Sequence, residues 1–138
     1  MPANVFFEWD PVKLSVGVQS MDGQHQRLIG MINQIYSASE RPPSLEGNVR
    51  AFDSLVQYAL MHFQQEEELM EREKFPGLKV HKIVHEDLVK KLKAHRDQLI
   101  DHEGEISSAL LTFLKVWLTG HIMGVDRQYG AHIHEHHR

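Results

Sequence analysis

The sequence predicts an all-α fold: an up-down-up-down antiparallel four-helix bundle with an extended N-terminal arm and a short C-terminal tail. Three observations predict it. Four stretches carry apolar residues at alternating steps of three and four, the spacing of a helix that buries one face. The connections between them are short and contain proline or glycine, which favours antiparallel neighbours. At 138 residues, the chain is long enough to bury a real core within one domain.

Taken in order, residues 1–18 hold two prolines and Gly/Ser breaks around Val5, Phe6, Phe7 and Trp9. They read as an extended arm whose aromatics pack onto the body. Helices are expected over 19–39, 45–73, 77–101 and 104–126, punctuated by RPPS (41–44), KFPG (74–77) and DHEGE (101–105). Ser44 with Gly47 three residues on is not a capping box, so the second helix start is weakly marked. Pro76 and Gly77 mark the third more firmly. Residues 127–138 form the tail, ending in HIHEHHR.

Composition narrows the function. A net charge of -4 and a pI near 6.2, with no cluster of Lys or Arg, argue against a nucleic-acid partner. Cysteine is absent, which excludes disulfides, thiolate ligands and Cys nucleophiles. The N-terminus carries acids where a signal peptide would carry basic residues. No sequence stretch approaches the roughly 20 apolar residues of a membrane span, so a cytoplasmic, membrane-free protein is expected. Histidine is abundant, at 11 residues, and the placement of these residues carries the functional argument.

The apolar stripe of the first helix runs Met21, His25, Leu28, Ile32, Ile35. That of the second runs Phe52, Leu55, Ala59, His62, Glu66, Leu69. The third gives His81, His85, Leu88, Leu92, His95, Leu99, and the fourth Leu110, Leu114, Trp117, His121. Every helix thus places a histidine where a hydrophobe belongs. Buried acids and imidazoles must partner one another or a metal, because an unpaired buried charge costs several kcal/mol or neutralises.

Their heights agree as well. Glu66 and His81 flank the connection near residue 74 at similar distances along the chain, as do His85 and His121 about residue 102, and His25 and His62 about residue 42. With a rise of about 1.5 Å per residue, antiparallel helices bring them to one level. No single spacing is specific: HxxxH occurs at both His81/His85 and His132/His136. The combination of one polar intrusion per helix, at one level, is specific. Asp126 lies five residues after His121, about 140° around an ideal helix, so a wide turn or a helix end is expected there, eased by Gly124.

Five imidazoles and two carboxylates form a nitrogen-rich, oxygen-bridged donor set that suits iron in its +2 and +3 states. His62/Glu66 and His81/His85 are i, i+4 pairs and can reach inward together. If both carboxylates bridge two octahedral irons and an oxide or hydroxide bridges as well, one coordination position stays open for a small ligand. Zinc prefers a closed tetrahedron, usually with cysteine. Calcium and magnesium prefer oxygen ligands.

These residues resemble the hemerythrin family, and specifically the single-domain bacteriohemerythrins. The resemblance rests on VGVQSMDGQH (16–25), HFQQEEELM (62–70), HKIVH (81–85) and WLTGHIMGVD (117–126), which cover most of the chain in the family's order. It implies one hemerythrin-like domain over 1–138. His81, His85 and His121 would bind one iron of an oxo- or hydroxo-bridged pair, His25 and His62 the other, and Glu66 and Asp126 would bridge. Dioxygen would bind reversibly at the two-histidine iron, for storage, transport or delivery to an oxygen-consuming enzyme, in a monomer. Leu28, Phe63, Trp117, Leu118 and Ile122 are the candidate apolar wall around the ligand. The tail matches no family ligand position.

Other histidines read differently. His95 lies about 15 Å beyond His85 and reads as an ordinary histidine. His102 reads as loop, and His132, His134, His136 and His137 as a solvated tail. In the run Glu66, Glu67, Glu68, only the first reads as a ligand and the others as a solvated face. Two further functions compete with the non-enzymatic carrier. An oxidase or ferroxidase would be expected to show more carboxylates, including Glu-x-x-His units, which the site lacks. An oxygen- or nitric-oxide-sensing module would need a partner to signal through.

Overall fold

The computed structural model describes residues 6–136. Val5 and His137 therefore lie outside the described residues. The fold is a four-helix bundle of α1 (Gln19–Ser39), α2 (Leu45–Arg72), α3 (Leu78–Asp101) and α4 (Ser108–His121). α2 packs against α1 and α3, and α4 packs against α1. A π-helical turn, Ile122–Asp126, joins α4 to α5 (Arg127–His136).

The helix ends follow local chemistry. Ser44 caps α2 by accepting the Gly47 N–H at 3.2 Å. The start is therefore capped although no acidic partner completes a box. α2 and α3 both finish in a Schellman arrangement. Phe75 N donates to Met70 O at 2.9 Å, and Gly104 N donates to Leu99 O at 2.8 Å. The left-handed positions fall on Lys74 (φ 54°) and Glu103 (φ 57°). Gly104 also has positive φ, and a Cβ there would lie 2.5 Å from Leu45 Cα. The buried Asn48 side chain donates to Gly104 O at 2.8 Å and holds this turn against α2. Because 101–107 is used in this termination and in the Ser107 cap of α4, the fourth helix begins at Ser108 rather than near 104.

The arm is strapped to the bundle. Asn33 accepts from Phe7 N and donates to Phe7 O, both at 2.8 Å. Phe6 stacks on Tyr36 with centroids 5.0 Å apart, Phe7 is buried, and Trp9 is half-buried. The arm is not wholly extended, because Asp10 caps a single helical turn, Pro11–Leu14. Past it, Ser15 Oγ donates to Asp22 at 2.6 Å and Val16 N at 2.8 Å.

The sequence stripes face the core, with Leu69, Leu88 and His95 only half-buried and Met70 fully buried beside them. Two further features differ from expectation. The tail is helical over Arg127–His136, where His132 Nε2 donates to Glu73 O at 2.9 Å and its ring meets Phe75 edge-on. In addition, the continuous helical run Ser108–Ile133 reaches a mean hydropathy of 1.3 and is long and apolar enough to cross a membrane. No separate sequence segment showed this, because the length arises only when α4, the π turn and α5 join. Leu110, Leu114, Leu118 and Ile122 from this run are buried in the bundle.

Candidate metal centre

Helix geometry delivers the seven predicted residues to one place. His25 comes from α1, His62 and Glu66 from successive turns of α2, His81 and His85 from successive turns of α3, and His121 from the end of α4. None is more than 2% exposed, and Asp126 is fully buried with them.

Asp126 arrives through the expected irregularity. The wider i→i+5 ring of the π turn returns a residue five positions on to the same side of the helix. Asp126 Oδ2 lies 2.9 Å from His121 Nε2. Gly124 is exposed there, with nothing near its Cβ position, so packing does not require a glycine.

The imidazoles present Nε2 to the carboxylates. His62, His85 and His121 approach Glu66 Oε1 at 3.3, 3.2 and 3.2 Å. His81 reaches Asp126 Oδ1 at 3.0 Å and His25 reaches Oδ2 at 2.9 Å. Several approaches are off the angle that a hydrogen bond needs. His25 Nδ1 and Nε2, His62 Nε2, His85 Nε2, His121 Nδ1 and Asp126 Oδ2 are buried without a hydrogen-bond partner. Native interiors rarely leave such atoms unpaired, and a bound cation would satisfy those that point inward. Two overlapping groups could hold one: His25, His62, Glu66, His121 and Asp126, and Glu66, His81, His85, His121 and Asp126. Within each, the ligand atoms lie within 4.8 Å of one another.

Electrostatics within the metal-free cluster agree. Burial disfavours a charged His121, but the Asp126 and Glu66 carboxylates outweigh it and push the pKa up to about 10. His25 is also raised, against burial, by the same pair. Burial, reinforced by His25 and His121, lowers His62 to about 4. Burial would raise Glu66, yet the imidazoles of His62, His121, His25 and His85 hold it well below the usual range. Asp126 is lowered by His121 and His25 against burial and the Glu66 charge. The carboxylates are thus anionic, and protons on imidazole balance them where a cation would otherwise do so.

The five predicted wall residues are all buried. The Phe63 ring stacks on His85 at 4.1 Å and lies 6.0 Å from Trp117. Trp117 Nε1 donates to Leu88 O at 3.3 Å. Trp117 and His121 also line an apolar groove of about 900 Å³ between α3 and α4.

Three contributors were not predicted. Tyr129 is fully buried, and its hydroxyl donates to Glu66 Oε2 at 3.0 Å. Burial and the Glu66 and Asp126 charges raise its pKa, so it stays a donor. Its signal was the i+3 spacing from Asp126, legible only if the helix continues past 126. Gln24 Oε1 lies 2.6 Å from His62 Nδ1. The sequence places Glu67 on a solvated face. Instead its Oε2 lies 2.9 Å from His85 Nδ1, because the wide helical stripe also turns residue 67 partly inward, while Glu68 is exposed. Of the remaining histidines, His95 stacks on Phe113 at 3.8 Å, and His102 is an exposed helix end.

Comparison with known proteins agrees with this geometry. A family model described as the hemerythrin HHE cation binding domain matches residues 16–133. The chain is 36% identical over 124 residues to a bacteriohemerythrin of Stenotrophomonas maltophilia, covering 89% of this chain and 79% of that protein. It is 30% identical over 127 residues to a myohemerythrin of Riftia pachyptila, covering 92% and 93%. A solved wild-type hemerythrin superposes with a TM-score of 0.82 at 25% identity, covering 91% of this chain and 96% of that one. By its matched length, its relatives and its fold, the chain belongs to the hemerythrin family.

Proposed function

We propose that this protein binds dioxygen reversibly at a non-haem diiron centre and serves as a carrier or store in the cytoplasm rather than as an enzyme. The observation that carries the reading is the buried convergence of five imidazole Nε2 atoms on two anionic carboxylates, with inward-facing atoms left unpaired. On this reading His81, His85 and His121 would hold one iron and His25 and His62 the other, with Glu66 and Asp126 placed to serve both. Iron moving between its +2 and +3 states supplies the electrons for reversible dioxygen binding.

The chain's own residues do the rest. Glu66 and Asp126 would offset part of the metal charge, and Tyr129 fixes the orientation of Glu66 through its hydroxyl. Leu28, Phe63, Trp117, Leu118 and Ile122, all buried, would exclude water from the site and slow irreversible oxidation. Delivery to an oxygen-consuming enzyme fits a small chain of this kind, acting as a monomer.

The test is anaerobic reconstitution with ferrous iron, an iron count per chain, and visible spectra through cycles of air and inert gas. Two irons and a colour that forms with oxygen and disappears on its removal are expected. One-way oxidation with two irons bound would favour an oxidase or redox sensor. Failure to bind two irons would overturn the ligand assignment.

A further inference from the structure

Each imidazole of the cluster has a second ring nitrogen, and these nitrogens have unequal surroundings. His62 Nδ1 faces the amide oxygen of Gln24. The Gln24 amide nitrogen donates to Gln65 Oε1, which fixes the amide with its oxygen toward the ring. His85 Nδ1 faces the carboxylate of Glu67 at 2.9 Å. His25 Nδ1 and His121 Nδ1 are buried without partners.

Both outer partners impose the same tautomer. An Nδ1–H that donates outward leaves the Nε2 lone pair bare and aimed at the metal position. They differ in charge. A carboxylate acceptor makes a hydrogen bond roughly twice as strong as a neutral one, draws the Nδ1 proton outward, and raises the basicity of Nε2. The geometry also resists rearrangement, because the Phe63 ring stacks on His85 at 4.1 Å with an interplanar angle of 14°. Glu67 itself sits where the cluster meets solvent, with its side chain 27% exposed against 3% for His85. It lines a pocket of about 410 Å³ between α2 and α3 together with Phe63, Lys90 and Lys93.

We propose that Glu67 is a positioning residue that deepens the inequality between the two metal positions, beyond the difference between three imidazoles and two. Through His85 it gives the ion held by His81, His85 and His121 a more electron-donating ligand set. Among the described residues, the ion that His25 and His62 would hold has the neutral Gln24 amide behind it and no outer carboxylate. The first position therefore binds a divalent cation more tightly and stabilises the ferric state more strongly. This inference rests on the ligand assignment proposed above.

The experiment compares wild type, Glu67→Gln and Gln24→Ala in two measurements: titration of metal-free protein with cobalt(II), followed in the visible, and the ferric/ferrous midpoint potential of the iron-loaded protein. Glu67→Gln keeps an acceptor at the ring and removes only the charge, so it separates charge from placement. One of the two cobalt-binding steps should weaken about tenfold, the other should stay unchanged, and the potential should rise. Gln24→Ala should weaken the opposite step. If Glu67→Gln leaves both steps and the potential unmoved, or weakens both steps equally, the role assigned to Glu67 is wrong. A wild-type chain that binds no cobalt would overturn the ligand assignment and this inference together.

Discussion

Replacing Tyr129 with Phe removes one oxygen from the floor of the metal centre and nothing else. The ring keeps its packing, with Phe75 and His81 at centroid distances of 6.3 and 5.7 Å, so no appreciable cavity opens. The cost is the hydrogen bond to Glu66 Oε2 at 3.0 Å. Glu66 is held anionic by the surrounding imidazoles, and a hydrogen bond to a charged group contributes about 1.5–3 kcal/mol. The two carboxylate oxygens are served unequally. Oε1 has three imidazoles within 3.3 Å. The nearest imidazole to Oε2, His25 Nε2, is 3.6 Å away. Removing the Tyr129 hydroxyl thus strips the only hydrogen-bond donor to Oε2 among the described residues, which places the metal-free loss in the upper half of that range, about 2–3 kcal/mol. On the proposed ligand assignment a cation held by Glu66 would compensate for the lost hydroxyl, so the loss in the loaded protein should fall to about 1 kcal/mol or less. Urea unfolding followed by helix circular dichroism, with and without metal, measures both at constant m-value. A metal-free loss below about 0.5 kcal/mol, or an equal loss in both states, would refute the reasoning.

Three other outcomes follow from the same structure. Metal-free stability should peak near pH 6.5. His62, depressed to about 4 mainly by burial, contributes stability that is full above 6.5 and is lost as pH falls toward 4. His121, raised to about 10 against burial by Asp126 and Glu66, contributes stability that is full below 6.5 and is lost as pH rises toward 10. Urea midpoints in chelator across that span should trace a dome, and a monotonic profile would contradict the assignment of opposite shifts. Gly130→Ala would place a Cβ 2.1 Å from Val16 O, so the arm must lift, at a cost of about 1–3 kcal/mol. Thermal melts and faster proteolysis within residues 6–18 would report it, and unchanged protection would show that the arm does not depend on that contact. Asn48→Ala should cost about 1–3 kcal/mol, read in urea, by leaving Gly104 O without its buried donor.

The bundle and most of the centre were legible from spacing. An i, i+4 pair points one way on a helix whatever its neighbours, which is why spacing alone places His62/Glu66 and His81/His85. Equal distances from a connection translate into equal heights because antiparallel helices share one rise per residue. The helix-breaking chemistry at 41–44, 74–77 and 101–105 set the boundaries to within a few residues. The late start at Ser108 was hidden because nothing in 101–107 announces that Glu103 will adopt the left-handed conformation closing α3.

Tertiary structure decided the remainder. The sequence leaves a wide turn or a helix end open after His121, and the π turn was selected by a buried Asp126 having to face His121 while the helix continues to His136. The helix restarting at Arg127 turns Tyr129 onto Glu66 and binds His132 to Glu73 O, which no local signal in the tail distinguishes from a solvated end. Gln24 and Glu67 sit at the edge of their helical faces. Their roles depend on which neighbouring ring nitrogen happens to lie within 3 Å, a matter of helix rotation and crossing that periodicity does not specify. The sequence by itself determined which side chains must be buried at one level. Only the packed bundle decided which atoms of those side chains meet, because hydrogen bonds depend on ångström-scale placement, and hydrophobic periodicity carries information only about faces.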